Sequence, residues 1–321
     1  MSRTYCVTGI EKNVCYSPGN DKWFKKAMLV CGIILTVCAC NLIAPPNFGL
    51  QSGNRSDQIA FVSFRDRNLE VYSMDADGSH LVNLTNNAAD DRSPAWSPDA
   101  SQIAFVSFRD ENLEIYVMDA DGSHQRRLTK NSDFDISPDW SPDGRQIAYS
   151  SSFNGNAGIF VMDTNGKNSI RLTNNPAGDF DPAWSPNGRQ IAYLSVKDGK
   201  GEIYVMNADG TDNRPLAPDP ANDSNPSWSP DGRKIAFASF RDGDYDIYVM
   251  DSDGGNIVNL TTNTTYDSAP SWSPDGSQIA FEAERDDYTT SIYVMDADGS
   301  NVRRLTNQIL TDAAPVWRPS N

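Results

Sequence analysis

The 321-residue chain is acidic: 27 Lys and Arg stand against 43 Asp and Glu, for a formal net charge of −16. This charge repels nucleic acid and anionic lipid headgroups, so we expect no nucleic-acid partner and favour basic or neutral protein surfaces, or cations. All five cysteines lie in the first 40 residues, which excludes a disulfide-stapled body, a thiol nucleophile and a thiolate metal site from residues 41 to 321.

A short apolar run near the N terminus predicts export. Residues 27 to 40, AMLVCGIILTVCAC, follow three lysines and fall short of the about 20 apolar residues that a membrane-spanning helix needs. The run ends in Val37-Cys38-Ala39-Cys40, which resembles the lipobox of bacterial lipoproteins, and this resemblance implies that Cys40 is lipidated. An ordinary cleaved signal and an uncleaved anchor are the alternatives. Residues 1 to 40 therefore predict an export signal that delivers the body to a bacterial cell envelope, to the periplasm or the outer surface.

The next segment separates this signal from the body. Residues 41 to 56, NLIAPPNFGLQSGNRS, combine two adjacent prolines with Gly, Ser and Asn. Such a composition is typical of a linker. We expect a flexible tether.

From residue 57 onward the sequence repeats itself. An isoleucine recurs every 44 residues, and a tryptophan keeps the same spacing except for one extra residue before its last copy. The isoleucines are Ile59, Ile103, Ile147, Ile191, Ile235 and Ile279. The tryptophans are Trp96, Trp140, Trp184, Trp228, Trp272 and Trp317. The extra residue falls between Ile279 and Tyr293, where the other copies have a loop, as expected of a structural repeat.

Each copy divides into four short β-type runs at clusters of Gly, Pro, Asn and Asp. In the second copy these are PAW at 94–96, QIAFVSF at 102–108, LEIYVMD at 113–119 and RRLT at 126–129. The second and third runs are apolar on both faces, as in strands packed between two neighbouring sheets. Four strands per repeat, a period of 44 residues and six copies together predict an all-β, six-bladed β-propeller with four-stranded blades.

The phase of the repeat also predicts how the ring closes. The body begins with a second strand, DQIAF, and ends with a first strand, PVWRP. We therefore expect the C-terminal strand around Trp317 to complete the blade that begins at Asp57, which removes the edge of an open array. The propeller then covers residues 57 to 318, and we expect it to be a monomer.

The motifs WSPDGRQIAY, IYVMDADGS and RRLT resemble the repeats of the TolB-type propeller family, which is also described as WD-repeat-like. The resemblance covers residues 57 to 318. It implies the six-bladed fold and a propeller that grips a peptide or protein at its face. TolB itself carries an α/β domain that contacts other Tol proteins before the propeller, and here the tether stands in its place, so this chain is expected to lack that domain.

Charged residues recur at two positions in the repeat and form the candidate site. An acid stands five residues before each Trp: Asp91, Asp135, Asp179, Asp223, Asp267 and Asp312. Six residues after each Ile stand Arg65, Arg109, Phe153, Lys197, Arg241 and Arg285. We expect both sets on one channel-mouth face. One interpretation pairs each Asp with an Arg to build the blade. The other makes some of them a site for a basic peptide segment or for a cation such as Ca²⁺, which prefers oxygen ligands.

Blade 3 breaks the charged pattern. Phe153 replaces the basic residue there, and it is either a partner anchor or sequence drift. Asp139 replaces the Ala or Ser that precedes most of the other tryptophans.

The sequence offers little for catalysis. His80 and His124 are the only histidines, and both follow DGS turns, which we expect on the rim opposite the Asp residues. No G-x-S-x-G motif is present. We therefore predict a non-catalytic, exported propeller that binds a protein or peptide at the channel-mouth face and requires no cofactor. A calcium-dependent or carboxylate-only enzyme of the lactonase or glycosidase type and a small-ligand or glycan binder are the alternatives.

Overall fold

The structure is a computed structural model. It describes the backbone of residues 5–7 and 14–16, and residues 57–152, 155–216, 221–262, 265–284, 289–307 and 310–320. The chain divides into two units, Met1–Arg55 and Ser56–Asn321. In the first unit, β1 (Tyr5–Val7) and β2 (Val14–Tyr16) form an antiparallel pair. Within these described ranges, there is no helix of the length and apolar character required to cross a membrane.

The second unit contains six antiparallel sheets of four strands each, which we number blades 1 to 6. The innermost strands of blades 1 to 6 are β26 (Asp312–Trp317), β6 (Asp91–Trp96), β10 (Asp135–Trp140), β14 (Asp179–Trp184), β18 (Asp223–Trp228) and β22 (Asp267–Trp272). The second strands are β3 (Gln58–Ser63), β7 (Gln102–Ser107), β11 (Gln146–Ser151), β15 (Gln190–Lys197), β19 (Lys234–Ser239) and β23 (Gln278–Glu284).

The outer half of each blade is built in the same order. The third strands are β4 (Glu70–Asp75), β8 (Glu114–Asp119), β12 (Gly158–Asp163), β16 (Lys200–Asn207), β20 (Asp246–Asp251) and β24 (Thr290–Asp296). The outermost strands are β5 (Val82–Asn83), β9 (Arg126–Arg127), β13 (Ile170–Arg171), β17 (Arg214–Pro215), β21 (Val258–Asn259) and β25 (Arg303–Arg304). Each innermost strand contacts the innermost strands of both neighbouring blades, so the six sheets surround one central channel. The six-bladed propeller predicted from the repeat is confirmed.

The ring closes within blade 1, as the phase of the repeat predicts. β26 pairs with β3, with Asp312 opposite Ser63 and Trp317 opposite Ile59. The backbone N–H of Arg318 then donates to the carbonyl oxygen of Gln58 at 2.8 Å. The Arg318 guanidinium lies 5.0 Å from the ring centre of Trp96 in blade 2, so it also ties the closing blade to its neighbour.

The hydrophobic core lies between the blades. Six clusters of buried side chains fill the six seams, and the cluster at the closing seam joins Ile292 and Val294 of blade 6 to Phe61 and Trp317 of blade 1. Each second and third strand is covered on both sides in this way, which explains why both are apolar on both faces. Because each blade buries its apolar surface only against its neighbours, the complete ring is needed to cover all of them.

The propeller has two distinct ends. We call one the Asp face, since Asp91 and its five equivalents begin the innermost strands there, level with Ser107 and Glu114 of the next two strands in blade 2. We call the other the turn face, because it carries the SPDG-type turns after each Trp and the DADG-type turns between the third and outermost strands. At this face Gly254 adopts φ +94°, and a Cβ there would collide with the carbonyl oxygen of Leu216 one blade earlier. The tight turn therefore also packs one blade against the next.

Candidate functional site

The six repeated carboxylates lie inside the blades. Each is the first residue of an innermost strand and is at most 1% exposed. They were expected on the channel-mouth face, but each innermost strand starts at the Asp itself and the strand pairing covers it. Their side chains are therefore held by the blade and do not line an open ring.

Three of these carboxylates pair with the arginine of their own blade. An Nη2 of Arg109 lies 2.9 Å from Oδ2 of Asp91, and the equivalent pairs are Arg65 with Asp312 at 3.0 Å and Arg241 with Asp223 at 3.2 Å. Each arginine also donates through Nε to the serine opposite the Asp, at 2.7 to 2.8 Å. Each guanidinium lies 4.7 Å from the ring centre of a tyrosine on the third strand. The predicted Arg residues are thus largely embedded in the blades.

The same position is held without arginine in blades 3 and 4. Asp135 accepts from Nδ2 of Asn131 at 2.6 Å, and Asp179 accepts from Nδ2 of Asn175 at 3.1 Å. Burial raises the pKa of Asp135 to about 6, and it raises the pKa of Asp91 in spite of the hydrogen bond from Ser107 and the Arg109 charge. Lys197 is exposed at the end of β15 and forms no ion pair with any described residue.

Three of the predicted site residues fall outside the described residues. They are Phe153 of blade 3, Arg285 of blade 6 and the lipidation candidate Cys40. Their roles remain predictions.

These contacts favour the structural interpretation of the Asp residues. In five of the six blades the carboxylate hydrogen-bonds Arg, Ser or Asn, whose donors supply the compensation that a ligand would otherwise provide. Within the described ranges, no group of three or more His, Cys, Asp or Glu has the arrangement to hold a metal ion. Cation binding at the mouth stays a prediction.

A different set of side chains occupies the mouth at the Asp face. One residue beyond each of these Asp residues, the inner two strands make a further backbone hydrogen bond, such as Phe64 N–H to Thr311 O at 3.0 Å. In five blades this last pair contains an aromatic residue, and we call these residues the aromatic rim: Phe64, Phe108, Phe134, Phe240 and Tyr266. Phe64 is 39% exposed and Phe240 is 45% exposed. Blade 4 has Val196 and Gly178 instead.

The aromatic rim was not predicted from the sequence, because its residues are not repeated in all six copies. The available signal was the position five residues after each Ile, where the chain has Phe, Phe, Ser, Val, Phe and Glu. The rim is extended at the seam of blades 5 and 6, where Tyr245 lies 5.3 Å from Phe240 and 5.6 Å from Tyr266 between ring centres. These contacts form an aromatic patch on the Asp face.

Below the rim, side chains of adjacent innermost strands meet around the channel. Each innermost strand has a bulge whose central residue adopts a φ of 49° to 52°: Ser93, Ser137, Asp181, Asn225, Ala269 and Ala314. The Ser137 hydroxyl donates to Asp181 at 2.8 Å, Nδ2 of Asn225 lies 3.5 Å from the same carboxylate, and Ser268 donates to Asn225 at 3.1 Å. A polar chain therefore runs around the channel from blade 3 to blade 6.

Two further acids bridge seams beside the channel. Asp139 accepts the backbone N–H of Trp184 in the next blade at 2.6 Å, and Glu282 accepts the backbone N–H of Ala314 at 3.0 Å. Burial raises the pKa of each of these carboxyls to about 7, and it also raises the pKa of Asp181. Sequence comparison within the repeat singled out Asp139 but overlooked Asp181 and Glu282.

The two histidines lie at the turn face. His80 contacts Asp75 at 2.6 Å and Ser79 at 3.2 Å, and both contacts are made by Nδ1. His124 repeats this arrangement with Asp119 and Ser123. A serine nucleophile activated by histidine needs the acid on one ring nitrogen and the hydroxyl on the other, so these groups do not form a catalytic triad.

Comparison with known proteins agrees with this architecture. TolB from Acinetobacter baumannii is 26% identical, with a TM-score of 0.75 over 84% of this chain and 68% of that one. A protein described as TolB from Agrobacterium tumefaciens is 23% identical, with a TM-score of 0.67 over 82% of this chain and 92% of that one. Oligogalacturonate lyase from Vibrio parahaemolyticus is 13% identical, with a TM-score of 0.52 over 77% of this chain and 72% of that one. At 23% and 13% identity, these last two likenesses show the fold alone.

A search of curated proteins gives no match. The family model of the TolB β-propeller domain matches residues 41–180 and 173–268, which together make up most of the chain. The resemblance read from the repeat motifs is confirmed, and the chain belongs to the TolB β-propeller domain family.

Proposed function

We propose that this protein is a non-catalytic, exported propeller that binds a protein or peptide partner at its Asp face. The observation that carries this proposal is the aromatic rim, in which Phe64 and Phe240 expose 39% and 45% of their surface beside the channel. Aromatic side chains at the centre of a face contribute strongly to binding when a partner buries them.

The frame beneath the rim supports binding without rearrangement. The N–H groups of Phe64 and Phe240 are hydrogen-bonded to the neighbouring strand at 3.0 and 2.9 Å, so their backbones are fixed. The ion pair of Arg65 with Asp312 lies directly below the first and that of Arg241 with Asp223 below the second. Because the residues are already ordered, a partner loses less free energy in ordering the site.

The enzymatic and glycan-binding alternatives have less support. A carboxylate-only glycosidase needs two carboxyl groups that converge on one substrate. In blades 1, 2 and 5 the Asp face carboxylates are instead engaged by arginines of their own blades. Calcium at the mouth, for which the sequence analysis allowed, would require some of these pairs to open.

The proposal is tested by selecting a displayed library of random peptides against the full-length protein and measuring the affinity of the enriched peptides by titration calorimetry. We expect Phe64→Ser combined with Phe240→Ser to weaken binding by at least tenfold, because the apolar contact is lost. The matched control is Ile170→Ser combined with Val258→Ser, which removes apolar residues of similar exposure, 62% and 54%, from the outer edges of blades 3 and 5.

The control variant should bind as the wild type does. If both double variants weaken binding equally, the selected peptides adhere to exposed apolar surface in general and the proposal fails. It also fails if selection on the wild type enriches no peptide beyond those that selection on the Phe64→Ser and Phe240→Ser double variant enriches.

A further inference from the structure

The channel contains an asymmetry that blade construction does not explain. At the bulge position blade 4 has Asp181, and the equivalent residues in the other blades are Ser, Asn or Ala. At the last residue but one of β10, blade 3 has Asp139, where the other blades have Ala, Ser or Val. Four blades fold with neither acid, so the fold itself does not require them.

Neither of these acids is neutralised by the protein. Asp181 accepts from the Ser137 hydroxyl and the Asn225 amide, and Asp139 accepts from the backbone N–H of Trp184. No Lys, Arg or His forms an ion pair with either carboxylate within the described part of the chain. Both residues are half-buried. This differs from Asp91, which is fully buried and pairs with Arg109.

We propose, on the basis of the proposed function, that the partner segment carries a lysine or arginine whose cation enters the channel from the Asp face and pairs with Asp181. The neighbours of this carboxylate, Ser137 and Asn225, hold it in place between three blades. Desolvation disfavours the charged form of the Asp181 carboxyl. A cation beside it would offset this cost. Residues 41 to 321 carry 41 Asp and Glu against 22 Lys and Arg. Their negative potential attracts such a basic segment as well.

The depth of the site suits a long basic side chain. Asp181 lies two residues beyond Asp179, which marks the Asp face, and in an extended strand this step spans at most roughly 7 Å. Lysine and arginine bridge such a distance with an aliphatic stem and place the charge at its end. The aromatic rim above surrounds the stem and the apolar neighbours of the basic residue. Asp139 lies further along the channel, near the turn face.

The inference is tested with the peptides selected from the random library. We expect enrichment of one Lys or Arg next to apolar residues. In calorimetric titrations, replacing that residue by Gln should weaken binding to the wild type about tenfold and have little effect on binding to Asp181→Asn. The control Glu282→Gln neutralises a channel-side acid that is only 1% exposed and should leave the preference for the basic residue intact.

The outcomes distinguish this inference from the proposed function. Peptides that require the aromatic rim but show no basic preference, or a Lys to Gln effect that is the same in wild type and Asp181→Asn, overturn the inference and leave the proposed function standing. Repeating the titrations with Ca²⁺ and with a chelator identifies the other occupant. If Ca²⁺ raises the melting temperature of the wild type but not of Asp181→Asn, and the peptides show no basic preference, the channel binds a metal ion and the inference is wrong.

Discussion

At the scale of single residues, the acids of this chain fall into two classes with opposite surroundings. Asp143 in an SPDG turn accepts the Ser141 hydroxyl and the Arg145 backbone N–H, and these donors lower its pKa. Asp139 and Glu282 each accept a backbone N–H from a neighbouring blade, and burial raises their pKa to about 7. The side-chain chemistry is the same, and the environment decides the charge.

The raised pKa values predict how stability depends on pH. The folded state keeps the protons of Asp139 and Glu282 up to about pH 7, whereas the unfolded chain releases them near pH 4. The contribution of these groups to the free energy of unfolding is therefore complete below pH 4, falls as pH rises to 7, and stays low above it. Asp139→Asn with Glu282→Gln should flatten this fall and stabilise the protein at pH 8 by on the order of 1–3 kcal/mol.

Urea denaturation at a series of pH values between 4 and 8 measures this dependence. The control Asp143→Asn removes a carboxylate of lowered pKa, whose contribution is present above its unfolded pKa and is lost in acid. It should therefore lose stability at pH 7 and little at low pH. A double variant with the same slope as the wild type would contradict the prediction.

The position of each Asp could be read from the sequence, but its burial could not. The spacing placed Asp91 and Arg109 on one face, and in the structure the two side chains lie 2.9 Å apart. The bulge at Ser93, whose φ of 52° is unusual for a non-glycine residue, has no clear sequence signature either. The acids at Asp181 and Glu282 were missed because neither lies at a repeat position whose charge was compared across the six copies.

At the scale of elements, turns couple the blades as much as strands do. The repeat correctly predicted four strands per blade, but the first begins three residues earlier than the PAW run, and the RRLT run is a strand over Arg126–Arg127 alone. The outermost strand is short because it has one neighbour, whereas the inner strands are packed on both sides. The DADG-type turn next to it carries the glycine that contacts the preceding blade.

Two glycines separate the effect of this contact from that of backbone conformation. Gly254 and Gly243 adopt φ of +94° and +109°, but a Cβ at Gly254 would collide with the Leu216 carbonyl, while a Cβ at Gly243 would meet no atom within 4 Å. Gly243→Ala should cost about 1 kcal/mol from backbone strain alone. Gly254→Ala should cost at least about 2 kcal/mol more, because blade 5 must shift against blade 4.

Thermal and urea denaturation of the two variants measures the difference. Equal losses of stability would mean that the turn does not pack against the preceding blade as described. A selective loss in Gly254→Ala would locate the effect at the seam.

At the scale of the whole molecule, stability depends on closing the ring. β26 supplies the innermost strand of blade 1 and Trp317 of the closing core cluster, and Arg318 connects this strand to blade 2. Without it, β3 has an unpaired edge and Phe61 loses part of its cover. The phase of the repeat predicted this closure. The chain ends with the first strand of a repeat and begins with a second strand, so the two complete one blade.

Deletion of residues 312–321 should therefore abolish the single cooperative unfolding transition and cause association through the exposed edge of β3. The control deletion of residues 319–321 keeps Arg318 and should retain the wild-type transition. Calorimetry and light scattering measure the two properties. A monomeric, cooperatively unfolding protein after the longer deletion would show that the ring does not depend on this strand.

The pairing within blade 1 also determines when this blade can form during synthesis. Arg65 and Asp312 form an ion pair across 247 residues of chain. The first strand of the propeller to leave a ribosome or a translocation pore must therefore wait for one of the last before it is paired, and such non-local contacts slow folding. During that interval the edge of β3 is available to other chains, so a newly made copy is most vulnerable to aggregation just before its synthesis is complete.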